Sequence, residues 1–60
     1  MFAVIPVSTD YVFPEEASFF DDIEDATDDA LDWSAELEGE TIIVYQEIGD
    51  SYVSVRKVFA

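Results

Sequence analysis

Residues 21–36 read DDIEDATDDALDWSAE. At 100° per residue this stretch divides into two arcs of about 160° each. One arc holds Asp21, Asp22, Glu24, Asp25, Asp28, Asp29, Asp32 and Glu36. The other, begun by the flanking Phe19 and Phe20, holds Ile23, Ala26, Thr27, Ala30, Leu31, Trp33 and Ser34, and Leu37 extends it. That division predicts an amphipathic helix with one wholly acidic face. Ser18, with Asp21 three residues on, reads as an N-cap, and Gly39 as the residue that stops the helix, so the helix is expected over 18–38. No Lys or Arg interrupts the acidic arc. Acids three or four residues apart repel by roughly 0.2–0.5 kcal/mol a pair, and the nine such pairs here, among them Asp21–Asp25, Asp25–Asp29, Asp28–Asp32 and Asp32–Glu36, together cost about 2–4 kcal/mol before screening. A small domain has only a few kcal/mol to lose. Selection beyond folding is therefore expected to act on that face.

On either side of the helix the sequence reads as strands. Phe2–Val7 (FAVIPV) is a short one, and Pro6 either ends it or sets it at a sheet edge, because proline cannot donate to a ladder. Tyr11–Phe13 either continues it after a bend or forms a second short strand. Thr41–Ile48 (TIIVYQEI) and Tyr52–Phe59 (YVSVRKVF) are β-branched and aromatic, and Gly49-Asp50 between them predicts a hairpin. A two-residue turn sets Val44 opposite Val55 and Tyr45 opposite Ser54. Ile42, Val44, Ile48, Val53, Val55 and Phe59 then face the helix, while Ile43, Tyr45, Glu47, Tyr52, Ser54, Arg56 and Val58 face away. The expected fold is a single α+β domain over residues 1–60, of order β-α-β-β, with one acidic helix packed on a three-stranded, mostly antiparallel sheet. One helix covers one side of such a sheet, which leaves Ile43, Tyr45, Tyr52, Ser54 and Arg56 for a homodimer or partner contact.

Composition narrows the function classes. The 60 residues are 50% hydrophobic and 15% aromatic, unlike a disordered tail. Fifteen acids against Arg56 and Lys57 give a formal net charge of −13. Such a chain is repelled by bare nucleic acid and by anionic membranes, so the expected partners are basic. With no cysteine and no histidine, nucleophile–base triads and the usual transition-metal sites are absent. A carboxylate pair needs a cleft to separate its pKa values, and this architecture has no room for one, so no catalysis is expected. No window supplies the glycine and terminal glutamate of a calcium loop, so neither metal nor cofactor is expected. The N-terminus lacks a basic, signal-like region and no run of 18 apolar residues occurs, so a soluble cytoplasmic protein is expected.

Three readings of the acidic face compete. The first is a solvated surface. The second is halophilic adaptation, but acids would then spread over every surface, and the strands carry almost none. The third is mimicry of nucleic acid. From Asp21 to Asp32 there are seven carboxylates over about 18 Å of helix, roughly one per 2.6 Å, against about 1.7 Å for duplex DNA and 3.4 Å for a single strand. Most are Asp, which is a poorer helix former than Glu but holds its charge closer to a fixed position.

On size, charge and this array, the chain resembles the small acidic DNA-mimic inhibitors typical of phages. Those proteins block restriction enzymes, CRISPR effectors, uracil-DNA glycosylase, histone-like proteins or RNA polymerase. The β-α-β-β order is similar to that of some dimeric glycosylase inhibitors, and Gln46-Glu47 on a strand resembles part of the acidic strand of another. The charge array itself makes Asp21, Asp22, Glu24, Asp25, Asp28, Asp29, Asp32 and Glu36 the residues expected to occupy the nucleic-acid site of a basic host protein; the resemblance carries over no residue and implies only an inhibitor acting in the host cytoplasm. The competing expectation is an interaction module working through its bare sheet face.

Overall fold

The computed structural model describes all 60 residues. Its elements are β1 (Phe2–Pro6), β2 (Ser18–Phe20), α1 (Ile23–Glu36), β3 (Ile42–Ile48) and β4 (Ser51–Val58). The strands form one antiparallel sheet in the order β2-β1-β3-β4, and the fold is α+β. The sheet therefore has four strands where the sequence predicts three.

The added strand comes from the start of the expected helix. Ser18 pairs with Val4, Phe19 with Ala3 and Phe20 with Phe2. Two consecutive phenylalanines suit a pleated surface, and they close the flank of β1 that would otherwise expose its backbone. Asp22, in extended conformation, then accepts from the Glu24 N–H at 2.8 Å and starts the helix. Ser18 is thus a strand residue and Asp22 is the cap. Pro6 lies at the end of β1 opposite Ile42, beyond the part of β1 that β2 covers, so no pairing there needs its missing N–H. Tyr11–Phe13 belongs to the β1–β2 connection and to no strand.

At its other end the helix stops at Leu37. The Gly39 N–H reaches Ser34 O at 2.8 Å and the Glu38 N–H reaches Ala35 O at 3.3 Å, a Schellman closure. Its left-handed position is held by Glu38 (φ 60°), one residue before the expected Gly39.

The β3–β4 hairpin turns at Gly49-Asp50, with Ile48 opposite Ser51 and Tyr45 opposite Ser54 as expected. Between Tyr45 and Val44 the register slips: Val44 faces Arg56, and Val55 is the extra residue of a β-bulge. One inserted residue exchanges the two faces beyond it. Val58 enters the core and Phe59 is 66% exposed, the reverse of the uninterrupted register. Arg56 turns to the helix side, where Nη1 donates to Thr27 Oγ1 at 2.9 Å.

The core lies between helix and sheet. Ala26, Ala30 and Ser34, one turn apart, put a stripe of small residues against the sheet and are fully buried. The helix can therefore approach Val4, Ile42, Val44 and Val58 closely, and Phe2, Phe20, Ile23, Trp33 and Leu37 pack around them. Ser34 is the buried polar member. Its hydroxyl donates to Glu40 O at 2.6 Å and accepts from the Ala60 N–H at 2.9 Å, which joins the helix end to the last residue.

The face of the sheet away from the helix is not bare. The Val7–Ala17 connection sets Phe13 against Tyr45 and Tyr52, with ring centroids 4.6 and 4.9 Å apart. Ala3 and Ile5, which share this face by register, are buried.

Candidate acidic interface

Six of the eight predicted acids stand on the helix: Glu24, Asp25, Asp28, Asp29, Asp32 and Glu36. All are exposed except Asp29, which is half-buried. Asp21 and Asp22 precede the helix, so they continue the acidic surface without sharing its axis. Asp22 has a local structural duty as cap.

The array is electrostatically uneven along its length. Glu24 and Asp25 lie in the first turn, where the positive end of the helix dipole favours them, and Asp22 adds to that. Glu36 lies near the negative end, and no basic residue occupies the last turn. Repulsion therefore gathers toward the C-terminal half. Asp29 reports it: partial burial, then the charges of Asp32 and Glu36, hold its carboxyl above the usual aspartate range. These three acids, with Ser18 and Trp33, line a shallow hollow of about 200 Å³. Trp33 also receives the edge of Tyr11 at 5.6 Å.

Trp33 and Ser18 were not in the predicted acid set. The sequence placed Trp33 among apolar residues, yet it is four residues from Asp29 and beside Asp32, at the boundary between the arcs. Ser18 reaches the hollow only because β2 is a strand, which helical periodicity conceals. No cluster of three or more carboxylates is arranged to hold a metal ion. No helix is long and apolar enough to cross a membrane.

The second predicted surface divides. Ile43, Tyr45, Tyr52 and Ser54 share the face away from the helix. Ile43 and both tyrosines are half-buried, whereas Ser54 is exposed. Arg56 is placed with the helix by the bulge.

A wider hollow of about 480 Å³, lined by Val7, Ser8, Thr9, Glu40 and Thr41, opens at the root of the β1–β2 connection. Its Glu40 carboxylate is engaged, accepting from the Ser8 N–H at 3.0 Å. No known protein family matches the chain, and no curated protein or solved structure matches it.

Proposed function

We propose that this protein is a small acidic binding protein, a nucleic-acid mimic that blocks the DNA- or RNA-binding site of a basic host protein. It binds no nucleic acid itself, performs no catalysis and uses no metal or cofactor. The observation that supports this reading is the rank of six carboxylates on one face of α1 with no cation among them. They span about 18 Å at 1.5 Å per residue, close to one charge per 3 Å. That spacing is nearer the 3.4 Å of a single strand than the 1.7 Å of a duplex. A site built for phosphates would meet carboxylates on a rigid rod and gain charge-assisted hydrogen bonds from its Lys and Arg. The resemblance to phage inhibitors makes the host cytoplasm the place of action.

The test is capture of partners from host lysate at low and high salt, followed by competition. A genuine partner is a nucleic-acid-binding protein, is released by salt, and is displaced by DNA or RNA. Replacing Asp25, Asp28, Asp29 and Asp32 together by Asn weakens that partner while stabilising the isolated domain, because each change removes repulsion. Binding and stability falling together would indicate a structural face. A partner that holds this protein and nucleic acid at once without loss defeats the reading.

A second reading is a homodimer through the other face of the sheet. It is favoured by Phe19, which stands on that face opposite Ala3 and is 44% exposed. Sedimentation equilibrium decides it: the 6.8 kDa monomer mass at every concentration removes the dimer.

A further inference from the structure

The connection over the second face is attached in an unusual way. Its root is pinned: the Val7 N–H reaches Thr41 O at 3.0 Å, and the Ser8 N–H reaches the Glu40 carboxylate. Its far end is fixed by the pairing of Ser18 with Val4. Between these points every hydrogen bond is local, made within the segment or to Ser8 at its root. The Asp10 N–H bonds Ser8 Oγ, the Tyr11 N–H bonds Ser8 O, the Val12 N–H bonds the Glu16 carboxylate, the Glu16 N–H bonds Val12 O and the Ala17 N–H bonds Pro14 O. No residue from Thr9 to Ala17 is buried. Aromatic contacts hold the segment to the rest of the molecule, Tyr11 on Trp33 and Phe13 on Tyr45 and Tyr52.

We propose that Thr9–Ala17 is a hinged strap that opens as a unit while helix and sheet stay folded, uncovering the aromatic face of Tyr45 and Tyr52. Regions with few buried apolar contacts and only local hydrogen bonds open at a small fraction of the global unfolding free energy. Opening breaks the strap's aromatic contacts and, at most, the two bonds that Asp10 and Tyr11 make to Ser8 at the hinge; the other three travel with it. What it exposes is apolar: Phe13 lies on Tyr45, the cross-strand partner of the buried Ala3.

The absence of native cysteine makes a direct test simple. Ala3 and Ala30 are both fully buried, the first on the strap side of the sheet and the second against the helix-side core. Ala3→Cys and Ala30→Cys are made singly and labelled with a thiol reagent under native conditions. A strap that opens locally makes Ala3→Cys react at least tenfold faster than Ala30→Cys, with a weak dependence on denaturant. Adding Phe13→Ala to Ala3→Cys raises its rate further, with the helical circular dichroism retained, and Phe13→Leu restores the slow rate. Equal labelling at both positions, rising with denaturant as steeply as global unfolding, overturns the strap. That comparison needs no change at Phe13 and stands even where Phe13→Ala fails to fold.

Discussion

The sheet has two covers, and they are built on different principles. On one side, α1 presses Ala26, Ala30 and Ser34 into Val4, Ile42, Val44 and Val58, and is closed at both ends by Asp22 and the Schellman turn. On the other, a connection with no buried residue rests on aromatic contacts. The first cover is continuous, with small residues allowing close backbone approach and every buried side-chain polar atom partnered. The second is a few rings laid on a pleated surface. A short chain can thus commit its regular structure to one face and protect the other with side chains alone. The strap side is expected to be the less stable of the two.

The strongest challenge to that contrast is a matched pair of truncations. Ile42→Ala, on the helix side, removes a fully buried side chain and is expected to cost about 2–5 kcal/mol, enough to unfold much of the population. Ile5→Ala, on the strap side, is expected to cost distinctly less, since an irregular cover relaxes into the space. Equal losses in denaturant titrations would show the covers to be equivalent.

Next in size is Ser34→Ala. It leaves Glu40 O and the Ala60 N–H without their buried partner and is expected to cost about 1–3 kcal/mol. A change within 0.5 kcal/mol, read from the shift in midpoint, would show that water replaces the hydroxyl freely. The helix end is also the place for a gain. Glu38 holds a left-handed conformation that glycine adopts without strain, so Glu38→Gly is expected to add about 1 kcal/mol. A loss of stability would show that the carboxylate does something the backbone geometry conceals.

The smallest expected effect sharpens the acidic side of the helix. The folded-state pKa of Asp29 is raised, so across the window between its unfolded value and that raised value the folded chain binds more protons than the unfolded one. Its contribution to stability therefore falls as pH rises through this window and is regained on acidification. Asp29→Asn is expected to stabilise the domain by about 0.5 kcal/mol at pH 7, less at high salt. Below the ordinary carboxylate range the difference should vanish. A difference that persists in acid would trace to packing rather than charge.

How much of this was legible in the sequence follows the same division. Helical and hairpin periodicities announced α1, β3, β4, the Gly49-Asp50 turn and the acid face, because each is a local pattern repeated over several residues. The expected helix start failed at Ser18 because Phe19 and Phe20 fit the apolar arc of a helix and the pleat of a strand equally well. What decided between them was the open flank of β1, which is a tertiary fact. The Val55 bulge left only a faint trace: alternation along YVSVRKVF breaks at Arg56-Lys57, where an uninterrupted register would turn Lys57 toward the helix, and the packing of Val58 selects the slipped register. Tyr11–Phe13 alternate as a short strand would, and nothing local shows that Phe13 instead packs on Tyr45 and Tyr52. Of the candidate site, the helical acids were legible from spacing alone. The departure of Asp21 and Asp22 from the helix, and of Arg56 from the second face, followed from β2 and the bulge.

That bulge has a further consequence, for life at high concentration. β4 is an eight-residue outer strand rich in valine, the kind of segment that recruits its own copies into fibrils. Templating needs an unbroken outward repeat of N–H and C=O groups. At Val55 the repeat loses phase, and Arg56 and Lys57 follow directly with the only two side-chain cations of the chain. An incoming strand would find register with the residues before the irregularity or those after it, never with both. Removing Val55 would restore the phase, and with it an amyloid hazard that the present sequence keeps off its most exposed border.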